Sequence, residues 1–415
     1  MRRRYCPGPG MADLTHPDEA MRLVLDGIRP LPAQSRPLES AAGFYLSDDV
    51  DAACDLPAFD NSAMDGYALR EVDGKAASKN SPVSLSITQT ISAGTVPTAL
   101  VVGSAAKIMT GAPLPAGADT ILPREVAREY EGHVELLEAP SSGDHVRYKG
   151  DDMRAGDKLL PAGRRLRSFE IGLLAGQGFG EVRVHGRPRI AVLSSGDELV
   201  PYTELPTLGR IRNSSGPALA AMITAWGCTP VSCGIAADRE DAIKAAIERA
   251  LEHADVLLFC GGVSVGDFDY TRSALNTLGF EERFWRTAIR PGKPLLFGLL
   301  NKKPVFGLPG NPISTLVTAE VFVRPAVEKM SGSRGTQEPF SVMGTLEASF
   351  KKPRSLRHYL FCSAKTGADG KTLLRVLEPQ GSALLGMGAR ANALVIGPEG
   401  VSDLEAGMEL RFKWL

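Results

Sequence analysis

Carboxylates in this chain gather beside glycines and prolines, in loops where a small anionic ligand could approach the backbone. Three such loops share one stretch: Ser194-Ser195-Gly196-Asp197-Glu198, Gly261-Gly262-Val263-Ser264-Val265-Gly266-Asp267-Phe268-Asp269, and Gly307-Leu308-Pro309-Gly310-Asn311-Pro312. Glycine lets backbone N–H groups close on an anion, and a following helix N-terminus adds partial positive charge. Asn311 suits a helix N-cap and Pro312 the first helical position, which would make that turn rigid. Residues 286–293 (RTAIRPGK) add Arg286, Arg290 and Lys293, the last two presented on a Pro291-Gly292 turn. Groups so placed suit phosphate or another tetrahedral oxyanion. Singly, each glycine-rich turn also reads as an ordinary βα loop, and the cationic stretch as a solvated edge strand. Three such turns on one predicted sheet edge favour a ligand site. The GxGxxG fingerprint and the Walker A loop are both missing, which disfavours classical dinucleotide and P-loop nucleotide chemistry.

A second constellation lies upstream. DNSAMDGYA (60–68) holds two carboxylates, an amide and a hydroxyl among small residues; MTGAPLP (109–115) contains Thr110; RYKGDD (147–152) sets Arg147 beside Asp152. Asx turns and exposed loops are the plainer reading of each. Carboxylates in a phosphate cleft need a cation or an acid–base task, because bare repulsion would expel the ligand. Asp65, Asp152, Glu198, Asp238 and Asp269 are the candidates, and magnesium is the cation that oxygen ligands and a phosphate partner would select. The six histidines show no ligand spacing.

These groups need a frame. Residues 187–330 alternate strand and helix: strands at 190–193, 255–260 and 304–308, helices at 217–226, at 240–253 with Asp238 as its N-cap, through 278, and at 313–330. Such a βαβ succession predicts a parallel sheet with helices on both faces, with ligands beyond the carboxyl ends of its strands. Residues 40–185 and 337–415 have strand texture with long connections, the latter suiting a small β-barrel or sandwich. A chain of 415 residues exceeds one ordinary core, and its formal net charge of −1 gives no global field towards nucleic acid or membrane. No apolar run is long enough to span a bilayer, and the basic start lacks a signal peptide's apolar region; translation could begin at Met1 or Met11. Six cysteines without a CxxC pair fit a reducing cytoplasm better than a disulfide framework or structural zinc.

Taken together, DNSAMDGYA, MTGAPLP, GDD (150–152), SGDEL (195–199), GGVSVGDFD (261–269), RPGKP (290–294) and GLPGNP (307–312) resemble the molybdenum insertase family, the MoeA-type enzymes similar to the E domain of gephyrin. The motifs stand in family order and span about residues 15–385. The resemblance implies an α/β multidomain protomer: a flexible extension at 1–16; a three-layer α/β domain from 17–36 and 187–336; a linking domain from 37–55 and 157–186; a β-rich lobe at 56–156; and a C-terminal β-barrel at 337–415. It implies a homodimer whose cleft joins the α/β domain of one protomer to the β-rich lobe of the other. It implies insertion of molybdenum from molybdate into adenylylated molybdopterin in a magnesium-dependent step that releases AMP.

By the same resemblance, Asp65, Glu198 and Asp269 would hold magnesium. Thr110, Arg147, Ser195, Gly262, Ser264, Arg286, Arg290, Lys293, Pro309, Asn311 and Pro312 would contact substrate. Arg286 and Arg290 stand where many relatives have lysine, which alters hydrogen-bond geometry while keeping the charge. Arg357 and Ser382 sit near anion-binding positions, although HYLFC (358–362) departs from the acidic–aromatic–Leu–Arg pattern expected there. A molybdopterin adenylyltransferase is a rival reading, disfavoured because residues 37–186 and 337–415 exceed its single domain; such an enzyme is also a candidate transient partner. A non-catalytic molybdopterin-binding scaffold is the other rival, disfavoured by the carboxylates.

Overall fold

Alternation along the central strands sends neighbouring side chains to opposite faces, and both faces here are apolar. In the computed structural model, which describes residues 14–261, 270–335 and 339–415, strand β1 (Arg189–Ser195) points Ile190 and Val192 one way and Ala191 and Leu193 the other. Strand β3 (Val256–Cys260) divides likewise, Val256 and Leu258 against Leu257 and Phe259. A strand buried on both faces must be covered twice. Helix α2 (Glu240–Glu252) and α3 (Tyr270–Thr277) cover one side through Ile243, Ile247, Ala274 and Leu275. Helix α1 (Ser215–Ala225) and α4 (Pro312–Thr318) cover the other through Leu219, Ile223, Ile313 and Val317, joined by Ala20, Val24 and Ile28.

The sheet order is β2-β1-β3-β6-β5-β4, with β2 at Thr229–Ala236, β4 at Glu281–Trp285, β5 at Leu296–Leu300 and β6 at Lys303–Leu308. The first four strands are parallel, as the βαβ pattern predicts. The last two are antiparallel, so the sheet is mixed. The physical reason is local: Asn301-Lys302, both at positive φ, close a tight hairpin between β5 and β6 with no room for a crossover helix.

The predicted helix at 313–330 is α4, then a π-turn at Ala319–Val323, then α5 (Arg324–Met330). Buried Glu320 in that turn accepts from Arg324 at 2.8 Å and meets Lys413. Sequence periodicity could not reveal the interruption, because the carboxylate's partner lies 93 residues away.

The last strands close on themselves. Arg357–Thr366 pairs with both Thr372–Val376 and Ala393–Gly397, and Val342–Leu346 and Glu409–Trp414 complete a five-stranded barrel around Leu360, Leu374, Val395 and Phe412. Ile289–Arg290 pairs in parallel with Arg357 and His358, which stitches the cationic segment to the barrel.

Contact density separates two units. The first comprises the chain up to Ser47, Gly163–Arg167 and Val182–Leu415; the second comprises Asp48–Ala162 and Ser168–Glu181. The second unit holds its own six-stranded mixed sheet, ordered Thr120–Pro123, Gly66–Leu69, Ser104–Ile108, Val83–Ile91, His133–Leu136 and Ala127–Tyr130. Its strands also bury both faces, Tyr67 and Leu69 on one and Ala68 and Ile108 on the other. Among the described residues no helix is long and apolar enough to cross a membrane.

Candidate active site

In the first unit a cavity of 830 Å³ opens at the carboxyl ends of β1, β3 and β6. This is where an open α/β sheet is expected to take a ligand, because loops from neighbouring strands diverge there. Its lining brings together Ser195, Glu198, Asp238, Gly261, Arg290, Lys293, Pro309, Asn311, Pro312 and Ser382, residues spread over nearly two hundred positions.

Each loop is shaped by a particular interaction. Gly261 has φ +100°, and a Cβ there would sit 2.5 Å from the Ser195 carbonyl oxygen, so only glycine lets the β1 and β3 ends approach so closely. Asn213 donates from Nδ2 to Ser194 Oγ at 3.0 Å and accepts the Gly216 N–H at 3.0 Å, tying the start of α1 to the end of β1. Thr315 Oγ1 donates to the carbonyls of Pro309 (2.5 Å) and Asn311 (3.0 Å), which staples the Pro309–Pro312 turn. Asn311 does occupy the N-cap in extended backbone, but its side chain makes no cap hydrogen bond, and the residue lines the cavity.

Asp238 is not the N-cap of α2; Arg239 stands there, also without a side-chain cap bond. Asp238 instead exchanges hydrogen bonds with the Ser194–Glu198 turn: Asp197 N–H donates to Asp238 Oδ2 (3.2 Å) and Asp238 N–H to Asp197 Oδ1 (3.3 Å). That exchange ties Asp238 to the turn that carries Glu198, and both line the cavity. No described residue forms an ion pair with Arg290 or Lys293, both exposed, so their donors are open to a ligand.

Two arginines expected at the ligand are committed elsewhere. Arg286 is buried at φ +74°, its guanidinium 4.0 Å from the centroid of Trp285, and does not line the cavity. Stacking on an aromatic face uses the charge that the sequence offered to an anion. Arg357 donates to Asp18 Oδ1 at 2.7 Å and lies 2.9 Å from Glu399 Oε1, and it too is off the lining. Its neighbour His358 lines the cavity instead, because adjacent residues of a strand face opposite sides. Sequence reasoning passed over His358 together with Phe361, Gln380 and Met387; strand register of the barrel points to the first two, while Gln380 and Met387 lie off its strands. Gly262, Ser264 and Asp269 lie outside the described residues.

The second unit gathers the other three motifs. Val146–Arg147 pairs antiparallel with Asn61–Ser62, laying RYKGDD along DNSAMDGYA. Asp65 Oδ1 accepts from both the Thr110 N–H and the Thr110 hydroxyl, each at 2.8 Å, which fixes MTGAPLP against the same loop. Those two donors, the backbone one first, hold the Asp65 carboxyl below its usual range. Gly66 must be glycine for a steric reason: a Cβ would meet the Leu122 carbonyl oxygen at 2.2 Å. Asp60 accepts the Lys149 N–H (2.7 Å) and Asp151 the Tyr148 N–H (2.6 Å), so these carboxylates build the loop. Arg147 and Asp152 are exposed beside them.

Fold and site together define a multidomain protein with an anion-receptive cleft at the edge of an α/β sheet. Known proteins make this specific. Residues 15–178 match the family model described as the MoeA N-terminal region (domain I and II), 191–329 the probable molybdopterin binding domain, and 344–413 the MoeA C-terminal region (domain IV). A molybdopterin molybdenumtransferase of Nostoc is 40% identical over 74% of this chain and 71% of its own length. That of Synechococcus elongatus is 36% identical over 95% of this chain and 98% of its own. The crystal structure of the molybdopterin biosynthesis moeA protein from Pyrococcus horikoshii OT3 superposes with a TM-score of 0.84 at 26% identity, covering 97% of this chain and 100% of that one. The chain belongs to the molybdopterin molybdenumtransferase family, transferases of molybdenum cofactor biosynthesis.

Proposed function

We propose that this protein inserts molybdenum from molybdate into adenylylated molybdopterin with release of AMP, in the cytoplasm. The observation that carries the reading is the pairing of opposite chemistries in one cavity, whose lining holds Arg290 and Lys293 together with Glu198 and Asp238. Cationic donors would hold the phosphate groups and the molybdate oxyanion. A carboxylate would take the proton of the water that attacks the phosphoanhydride, whose bridging P–O bond breaks to leave the pterin phosphate and AMP.

Magnesium keeps several waters and binds through one or two carboxylates plus substrate phosphates. Glu198 and Asp238 supply that many on the lining, and among the described residues no group of three or more His, Cys, Asp or Glu could hold an ion unaided. This donor set fits magnesium arriving with the substrate; when bound, it would neutralise developing phosphate charge. Asp269 would belong to the same set. The DNSAMDGYA cluster, with Asp65, Thr110, Arg147 and Asp152, would complete the cleft of a partner protomer in a homodimer. Transient contact with the adenylyltransferase that supplies the substrate fits the same scheme.

The test is molybdate-dependent AMP release from adenylylated molybdopterin with magnesium, comparing the native chain with Asp65→Ala and Glu198→Ala. Release by the native protein and its sharp loss in folded variants is the expected result. Tight pterin binding without AMP release would replace the enzyme reading with a binding role.

A further inference from the structure

His358 has a position that the reaction scheme above does not use. It is 4% exposed, yet it is one of the residues that line the cavity. Its Nδ1 is sealed from solvent with no hydrogen-bond partner. Nε2 is not among the sealed, partnerless atoms, and no described residue engages it, so the imidazole opens onto the cavity through Nε2.

A buried polar atom without a partner is costly, and a native core rarely keeps one without a reason. The neutral ring must also choose where to put its single proton. A proton on sealed Nδ1 would waste a donor; a proton on Nε2 gives the cavity an N–H. Surrounding charge favours this neutral form. Burial first, then the Arg290 and Lys352 cations, push the His358 pKa down to about 4. Backbone pairing fixes the ring's place: His358 is in register with Arg290 on one side and Gly397 on the other. The Phe350 ring, with its centroid 6.2 Å away, packs against the imidazole.

Arg290, Lys293 and Ser382 line the same cavity. An ammonium and a guanidinium can only donate, and a hydroxyl can do so. A fourth donor on the same lining suits a ligand made only of acceptors. We propose that His358 donates its Nε2–H to a tetrahedral dianion held at the barrel end of the cavity, alongside Arg290, Lys293 and Ser382. The inference rests on the proposed function in taking that dianion from the reaction's own ligands. Molybdate and a terminal phosphate share the chemistry.

The experiment uses the full-length protein with ¹⁵N-labelled histidine, the His358 resonances being assigned by their loss in His358→Asn. Sodium molybdate and inorganic phosphate are added in separate titrations, with binding followed in parallel by equilibrium dialysis. The expected result is a shift of the His358 Nε2 signal that saturates with the bound anion. His358→Phe should weaken that anion about ten- to a hundred-fold, the range for a hydrogen bond to a charged group, and His358→Gln should recover much of the loss. A shift with molybdate alone assigns the subsite to the metal oxyanion; a shift with phosphate alone assigns it to the phosphate of the pterin. Binding of an anion without a His358 shift, or binding of neither, overturns the proposal. A protein that shows the shift but releases no AMP keeps this subsite and loses the enzymatic reading, so the two can fail separately.

Discussion

The two polar clusters are built on opposite plans. In the α/β unit the loops are shaped mostly by backbone and by small hydroxyl or amide groups, Gly261 against Ser195, Thr315 on Pro309 and Asn213 on Ser194, with the Asp197–Asp238 exchange beside them. The charged side chains there, Glu198, Arg290 and Lys293, stand on the lining without a described ion-pair partner. In the β-rich unit the charged side chains are themselves the fasteners: Asp65 holds Thr110, Asp60 holds Lys149, and Asp151 holds Tyr148. A carboxylate that already accepts two hydrogen bonds is a poorer base, because its lone pairs are committed and its charge is stabilised. Motif density therefore marks both regions, while the uncommitted donors and acceptors mark the groups that the proposed chemistry would draw on.

This contrast can be broken most directly at Glu198. Glu198→Gln is expected to cut AMP release by about a hundred- to ten-thousand-fold, the range for removing a general base, with thermal stability nearly unchanged. A modest kinetic loss would place the proton acceptor elsewhere. Next in size, Gly261→Ala should destabilise the α/β unit by about 2–4 kcal/mol, since it combines a Cβ clash with positive φ. Gly66→Ala should do similar harm in the β-rich unit by the clash alone. Denaturant titration would show whether strain or simple crowding governs each.

Lys293→Ala should weaken phosphate-bearing ligands by about ten- to a hundred-fold in a binding titration, again without loss of stability. The smallest effect is expected at Asp65→Asn. The amide retains an acceptor for Thr110, so stability should fall by no more than about 1 kcal/mol, whereas Asp65→Ala should cost more by freeing the loop. Equal losses of activity in the two variants would show that the charge of Asp65 itself matters. The unit's fasteners would then be doing chemistry as well.

Titration offers a check within the α/β unit. His358 is neutral in the fold, with a pKa of about 4 against 6.5 for the ordinary ring. The unfolded chain therefore binds more protons between these values. The corresponding stability is fully present above about 6.5 and is lost as pH falls towards 4. Denaturation midpoints measured across that window should fall less steeply in His358→Gln than in the native chain.

Sequence legibility followed the physics of each element. The parallel core was readable because strands buried on both faces carry unbroken apolar runs, as at Val256–Cys260. The ligand edge was readable because glycine and proline punctuate the strand ends. The antiparallel pair at the sheet edge and the π-turn at Ala319–Val323 were not, since a hairpin and a distant lysine decide them.

By itself the sequence determined which residue types could meet an anion, and through its motifs it determined the family. Only the tertiary structure decided which of them line the cavity with their charge uncommitted. Arg286 turned onto Trp285 and Arg357 onto Asp18 and Glu399, while Arg290 and Lys293 stayed open. His358 reached the cavity only because a barrel strand set its register beside Arg290. A side chain's type is local information. Whether its charge is already satisfied depends on neighbours that the chain brings from tens or hundreds of residues away.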